Sequence, residues 1–414
     1  MKKIIISGLI ISSLILASCS TDTGSADQVA TDETVAATAT ENTSTPVETT
    51  DSEENLIANS TYVDPVTGVE FVVLEDENHT FSMGVTEVTN EQYVKYLNSA
   101  YAEDKIVYNA EKGEILTVDG YSMIQLSGSR VVQDHNRDGT YALDEMENPL
   151  NRCFIEYDET TDSFVLVDPA SVDWTQYFDT SIYPNVVDSI TDWAELNDEG
   201  VGFYGNGDTD KLLPTLEEIK DWPLNFIRYY GAKEYADFYG YDIPTREEWV
   251  FAARGGEDFA FATSDGTDDI SSSWIGGSMP GEIHKGHVQT VDSLNSNPYG
   301  IYHLGGNVWE WTKEWAEYTP PAEGAKGFGT VTKFFIDDET RDPKIDPSGT
   351  DGTENQYKKS LIGGSFNYFS ITMAVTLTEG AVGPTMNLSD EGVWEHGAYI
   401  HAGNDHFGFR VVNP

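Results

Sequence analysis

From Gly256 to Pro414 the sequence consists mostly of short apolar runs broken by Gly and Asn. That pattern predicts brief strands joined by long ordered loops. Helix signals fall earlier in the chain. Thr89 followed three residues later by Gln92 is a capping box, and Tyr93, Val94, Tyr96 and Leu97 continue at helical spacing, which predicts a helix from Asn90 to Ala102. A second is expected over Arg228 to Tyr239 with Gly240 as its stop. A third begins at Thr245, with Glu248 reaching back to close a capping box, and runs through Trp249, Val250, Ala252 and Ala253 to Gly255-Gly256. About three helices with short strands and much ordered loop predict an α+β fold.

The 414 residues carry 23 Lys plus Arg against 71 Asp plus Glu, a net charge of −48. Most of such a surface repels phosphate, so nucleic acid is excluded as a partner. The 39% hydrophobic and 12% aromatic content supports a packed core, in one large domain or two at most.

Met1, Lys2 and Lys3 precede an apolar run from Ile4 to Ala17, the layout of a secretory signal peptide and too short for a comfortable membrane span. The run ends at Leu16-Ala17-Ser18-Cys19, which resembles a bacterial lipobox. Residues 1 to 18 are then a lipoprotein signal peptide, and Cys19 is the lipidated first residue of the mature chain. Ser20 resembles the sorting cue for the outer membrane. The expected location is therefore the bacterial cell envelope, lipid-anchored at the outer membrane. Residues 20 to 56 hold nine acidic residues and no Lys or Arg, too little apolar surface to offset their ordering entropy. Residues 19 to 56 read as the lipidated Cys and a disordered acidic tether, and residues 57 to 414 as the folded domain. With Cys19 used for lipid, Cys153 has no disulfide partner, and a small buried side chain is its expected use.

Five ordered blocks then identify a family. Glu87-Val88-Thr89-Asn90-Glu91-Gln92-Tyr93 is the first, and Ile243-Pro244-Thr245-Arg246-Glu247-Glu248-Trp249 through Gly255-Gly256 is the second. Tyr299-Gly300-Ile301-Tyr302 through Gly306-Asn307-Val308-Trp309-Glu310-Trp311, then Gly363-Gly364-Ser365-Phe366 and Gly408-Phe409-Arg410, complete the set. In this order they resemble the formylglycine-generating enzyme, or sulfatase-modifying factor, family. The resemblance spans residues 62 to 414 apart from about 105 to 220, which looks like an insertion. It implies a compact α+β fold related to C-type lectins. On a strand, Trp309 and Trp311 would share one face and Glu310 the other, where the carboxylate meets a metal or a donor.

The resemblance also implies where chemistry would lie. True formylglycine generators hold copper through two cysteines shortly after the Gly-Gly-Ser block. The matching positions here are Tyr368 and Met373, and Phe369 replaces the histidine after the first cysteine. Neither Tyr nor Met supplies the paired thiolates that hold Cu(I), so copper and catalysis are not expected. Trp309 and Ser365 match pocket-lining positions and are retained.

Calcium is the expected cofactor. Asp134-His135-Asn136-Arg137-Asp138-Gly139-Thr140 through Asp144-Glu145 places Asp134, Asn136, Asp138 and Glu145 at positions 1, 3, 5 and 12 of a calcium loop, with Thr140 at position 7 and Gly139 at the sharp turn. Val131 and Val132 suggest a strand before it, so an EF-hand-like loop without a paired hand is expected. The resemblance implies a second calcium site at Gly306, Val308 and Glu310, but its side-chain position is His303, a poor ligand for a hard cation. Backbone carbonyls, water or Asn307 would have to complete that shell. His396, His401 and His406, at five-residue steps, read as loop histidines.

Loss of both copper cysteines favours a non-oxidase binding or structural lipoprotein whose partner is a protein, peptide or glycan. In this it resembles gliding-motility and secretion-associated lipoproteins of the family. A divergent oxygen-using enzyme acting on cysteine-containing peptides or thiols is the alternative, and a surface-variable lectin-like receptor a further one.

Overall fold

The computed structural model describes residues 58–76, 79–111, 113–126, 153–171, 215–267, 288–319, 330–336, 357–365, 374–375, 378–382 and 407–414. The chain divides into two compact units, 1–54 and 55–414, and every described residue belongs to the second. The signal peptide, Cys19, the tether, the 134–145 loop, Tyr368, Phe369, Met373 and the histidines at 396, 401 and 406 lie outside the described residues.

The three expected helices form where their caps are written. Helix α1 (Asn90–Ala102) starts on Thr89, whose hydroxyl accepts from the Gln92 amide while the Gln92 side chain accepts from the Thr89 amide. A helix not anticipated, α2 (Leu216–Lys220), uses the same device with Thr215 and Glu218. Helix α3 (Tyr229–Tyr239) follows Arg228 and ends on Gly240 at φ 77°, and α4 (Arg246–Ala253) is capped by Thr245 and Glu248. None of the described helices is long and apolar enough to cross a membrane.

Strands β1 (Thr61–Val63), β2 (Glu70–Glu75), β3 (Thr80–Gly84) and the late strand β14 (Val412–Asn413) make one antiparallel sheet in the order β1-β2-β3-β14. The interior of β2 is buried on both faces, and Phe71 and Val72 serve different cores, as period-two alternation requires. Phe71 joins Tyr93, Tyr96, Tyr235, Trp309 and Phe409, whereas Val72 and Leu74 join Phe81, Met83, Trp249 and Leu304.

In the region of 105 to 220, β4 (Ile106–Asn109), β5 (Glu114–Thr117) and β6 (Ser122–Gln125) form a three-stranded sheet, and β7 (Ile155–Asp158) pairs with β8 (Ser163–Leu166). These strands belong to the main core, because Ile106, Ile115, Met123, Ile155 and Phe164 pack with Phe71. Cys153 is there too, fully buried, its thiol donating to the Gln125 carbonyl at 3.4 Å. Arg228 at the start of α3 pairs with buried Glu114 of β5 at 2.8 Å.

The last sheet is built on β9 (Trp309–Thr319). It pairs with β10 (Thr330–Phe335) and β11 (Tyr357–Ile362), β11 pairs with β12 (Thr378–Val382), and β13 (Phe407–Gly408) runs parallel to β9. Among the described residues after Gly256, the expected strands and loops are observed.

Candidate functional site

The start of β9 places the Trp-Glu-Trp block at the centre of the molecule. Trp309 and Trp311 lie in the Phe71 core, and Glu310 points to the opposite side, where the Trp249 indole donates to its Oε2 at 2.8 Å. The expected alternation therefore holds, and each buried indole contributes on the order of 5 kcal/mol of hydrophobic burial. What Glu310 meets is a set of donors. Arg410 grips the carboxylate with two parallel bonds, Nε to Oε2 and Nη2 to Oε1, both 2.7 Å. Nη2 also donates to the Tyr302 carbonyl at 2.8 Å, and Nη1 to the carbonyls of Gly84 at 3.0 Å and Val85 at 3.5 Å. Neither side chain of the pair has any solvent exposure. Burial opposes the charge on Arg410, but the Glu310 carboxylate outweighs it and holds the guanidinium pKa above its ordinary value.

Two further buried groups surround this pair. Asn307, at a left-handed φ of 57°, donates from its amide to Glu87 Oε1 at 3.1 Å and accepts at its side-chain oxygen from the Gln289 amide at 2.9 Å. Glu87 is buried, and its Oε2 finds no hydrogen-bond partner. Burial pushes its pKa up to about 8, against the pull of Arg410 and with the repulsion of Glu310. His303 is also buried at a positive φ of 54°, with Nε2 on the Ser293 hydroxyl at 3.1 Å. Burial, reinforced by the positive charge of Arg410, lowers its pKa to about 4.

These contacts test the calcium site implied at Gly306, Val308 and Glu310, and the residues do not fit it. Both Glu310 oxygens are held by a guanidinium, Asn307 is spent on Glu87 and Gln289, and His303 on Ser293. A divalent ion there would sit beside a buried cation. Gly306 and Val308 also serve the packing. The Gly306 amide donates to the Gly363 carbonyl at 2.9 Å. Val308 lies so close to Gly408 that a β-carbon there would meet its Cγ2 at 2.6 Å. Gly363 sits at φ 105° with the Trp249 ring 3.0 Å from where a β-carbon would be, so the Gly-Gly-Ser block needs glycine for both reasons.

The two residues matching pocket positions are buried. Trp309 and Ser365 have no solvent-exposed surface. Three residues the sequence reading did not assign now organise the site: Glu87, Trp249 and Arg410. The available signal was one polar or charged residue inside an otherwise apolar block, a pattern that costs free energy unless a partner is supplied.

Farther along β9, buried Glu314 accepts from the Arg246 amide with both oxygens, at 2.8 and 2.9 Å. The carboxylate thereby completes the positive N-terminal end of α4. Among the described residues no group of three or more His, Cys, Asp or Glu side chains is placed to hold a metal ion.

Comparison with known proteins follows the same lines. The family model of the sulfatase-modifying factor enzyme 1-like domain matches residues 68–414. Over 104 residues, 23% of this chain and 34% of the relative, it is 32% identical to "Inactive C-alpha-formylglycine-generating enzyme 2" of Bos taurus. It is 29% identical over 127 residues to "Chaperone protein LppX" of Paenibacillus barcinonensis, covering 27% of this chain and 45% of that one. The chain spans less than half the length of these curated relatives. Among solved structures, PvdO from Pseudomonas aeruginosa aligns with 86% of this chain and 98% of its own at a TM-score of 0.40 and 12% identity. With the family model covering all five sequence blocks, the chain belongs to the sulfatase-modifying factor family and has its α+β fold.

Proposed function

We propose that this protein is a cell-envelope lipoprotein whose sulfatase-modifying-factor domain binds a protein, peptide or glycan and performs no oxidase chemistry. The observation that carries this reading is the cysteine inventory. The chain has two cysteines. Cys153 is buried in the core against the Gln125 carbonyl, and Cys19 belongs to the lipobox-like segment. Neither follows the Gly363-Gly364-Ser365 block, so the thiolate pair that a soft Cu(I) ion requires cannot be assembled there. The relatives named as an inactive formylglycine generator and as a chaperone protein are consistent with a family member that keeps the fold for binding.

In this reading Cys19 carries the lipid and residues 20–56 tether the domain to the outer membrane. The 134–145 loop, through Asp134, Asn136, Asp138, Thr140 and Glu145, holds a structural calcium ion. Oxygen consumption by the purified protein, supplied with copper and a cysteine-containing sulfatase peptide, tests the first claim. No consumption above the peptide-free rate is expected, and peptide-dependent turnover would replace this reading with an enzymatic one. Calcium is tested by thermal stability, because a ligand that binds only the folded state raises it. A calcium-dependent rise in Tm, lost in Asp134→Ala, is expected.

A further inference from the structure

Around Glu310, oxygen acceptors from two distant parts of the chain, 84–85 and 302–310, converge as they would on a hard cation, and a cation is already present. We propose that Arg410 is the built-in cation of this site: its guanidinium binds together Glu310 and the carbonyls of Gly84, Val85 and Tyr302, and calcium binding by this protein does not involve Glu310.

Three observations carry the inference. The first is that all three guanidinium nitrogens are used, and every acceptor is an oxygen: two from the Glu310 carboxylate and one each from Gly84, Val85 and Tyr302. That donor class is the one calcium takes, but the planar fork of arginine selects its partners by direction.

The second is delivery. Phe409 and Val411, on either side of Arg410, are buried in the Phe71 core, and Val412 pairs with Met83 of β3. The cation is therefore placed by strand pairing and packing, whatever the metal content of the medium.

The third is what remains for a metal. The side chains of His303 and Asn307 are committed to Ser293, Glu87 and Gln289. Of the carboxylate, imidazole and carboxamide atoms facing Arg410, Glu87 Oε2 is the oxygen left without a hydrogen-bond partner, so the side chains offer a metal one open oxygen where calcium takes about six to eight ligands in all.

The test uses terbium, a luminescent and strongly scattering substitute for calcium. Crystals of the whole protein soaked in terbium should show no anomalous peak within coordination distance of Glu310, and a peak there would overturn the proposal. In solution, Trp249 donates directly to Glu310, so an ion on that carboxylate would give terbium emission on tryptophan excitation. Glu310→Gln, if it folds by circular dichroism, should leave terbium affinity within twofold of the parent. A tenfold loss accompanied by loss of the tryptophan-sensitised signal would contradict the proposal. The crystal experiment needs no variant, so it decides the matter even if Glu310→Gln does not fold. Ions found on residues 134–145 bear on the loop proposal and leave this one unchanged.

Discussion

Two buried arginine–carboxylate pairs, Arg410 with Glu310 and Arg228 with Glu114, are held differently. Both are almost fully shielded from solvent. Arg410 makes a bidentate grip on its carboxylate and reaches three backbone carbonyls, and its pKa is held above the ordinary value despite burial. Arg228 meets Glu114 through Nη1 at 2.8 Å, with the Ser122 hydroxyl donating to the same Glu114 oxygen, and burial outweighs the carboxylate to push its pKa down to about 10. Removing charge from water costs several kcal/mol per ion, and only close, multiple partners return that cost. The pair inside the family blocks has them. In the pair tying α3 to the β4–β6 sheet, the carboxylate oxygen is shared with Ser122 and burial lowers the pKa of the arginine.

This contrast can be broken experimentally. The largest effect is expected for Glu310→Gln or Arg410→Met, each leaving a buried partner unpaired, at about 3–5 kcal/mol in urea unfolding. Arg410→Lys should not restore stability, because an ammonium cannot reproduce the bidentate fork. An Arg410→Lys protein as stable as the parent would show that charge alone suffices.

The pH response of Glu87 sharpens the same picture. Its folded pKa, about 8, lies above its ordinary 4.5, so between these values the folded state keeps a proton that the unfolded state has lost. Stability should therefore fall as pH rises through that window and level off above about 8. His303, with a folded pKa near 4, acts in the opposite direction between about 4 and 6.5, where stability rises with pH. Comparing Tm against pH for the parent and Glu87→Gln isolates the first effect. The variant should lose the decline, and identical slopes would remove Glu87 from the account.

Smaller effects are expected elsewhere. Thr89→Ala removes the α1 cap and should cost about 1 kcal/mol, read from the urea midpoint. Replacing both members of the second pair, as Glu114→Leu with Arg228→Met, should change stability by less than about 1 kcal/mol. A loss of several kcal/mol from that double replacement would erase the distinction between the pairs.

Local signals in the sequence were the ones that translated directly. Capping boxes at Thr89 and Thr245, and Gly240 as a left-handed stop, needed only residues within one turn of each other. The alternation of Trp309, Glu310 and Trp311 was equally local. Thr215 and Glu218 form the same box, but a helix of five residues presents too short an apolar stripe to announce itself. The strands at 106–125 and 155–166 are four residues long and sit among Asp, Asn and Gly, so their contribution to the core is not announced by any long apolar run.

The polar centre was illegible for another reason. Glu310 is 100 residues from Arg410 and Glu87 is 220 from Asn307, so no local pattern couples them. Only the topology that lays β13 beside β9 and β14 beside β3 brings them together.

The chain keeps the family's fold, and we propose that it does so without the copper chemistry. Competition for Cu(I) between the purified protein and a chromogenic chelator tests it most directly. The account predicts no tightly held equivalent of Cu(I), in the parent and in Cys153→Ser alike. One stoichiometric, tight Cu(I) site that survives Cys153→Ser would contradict it.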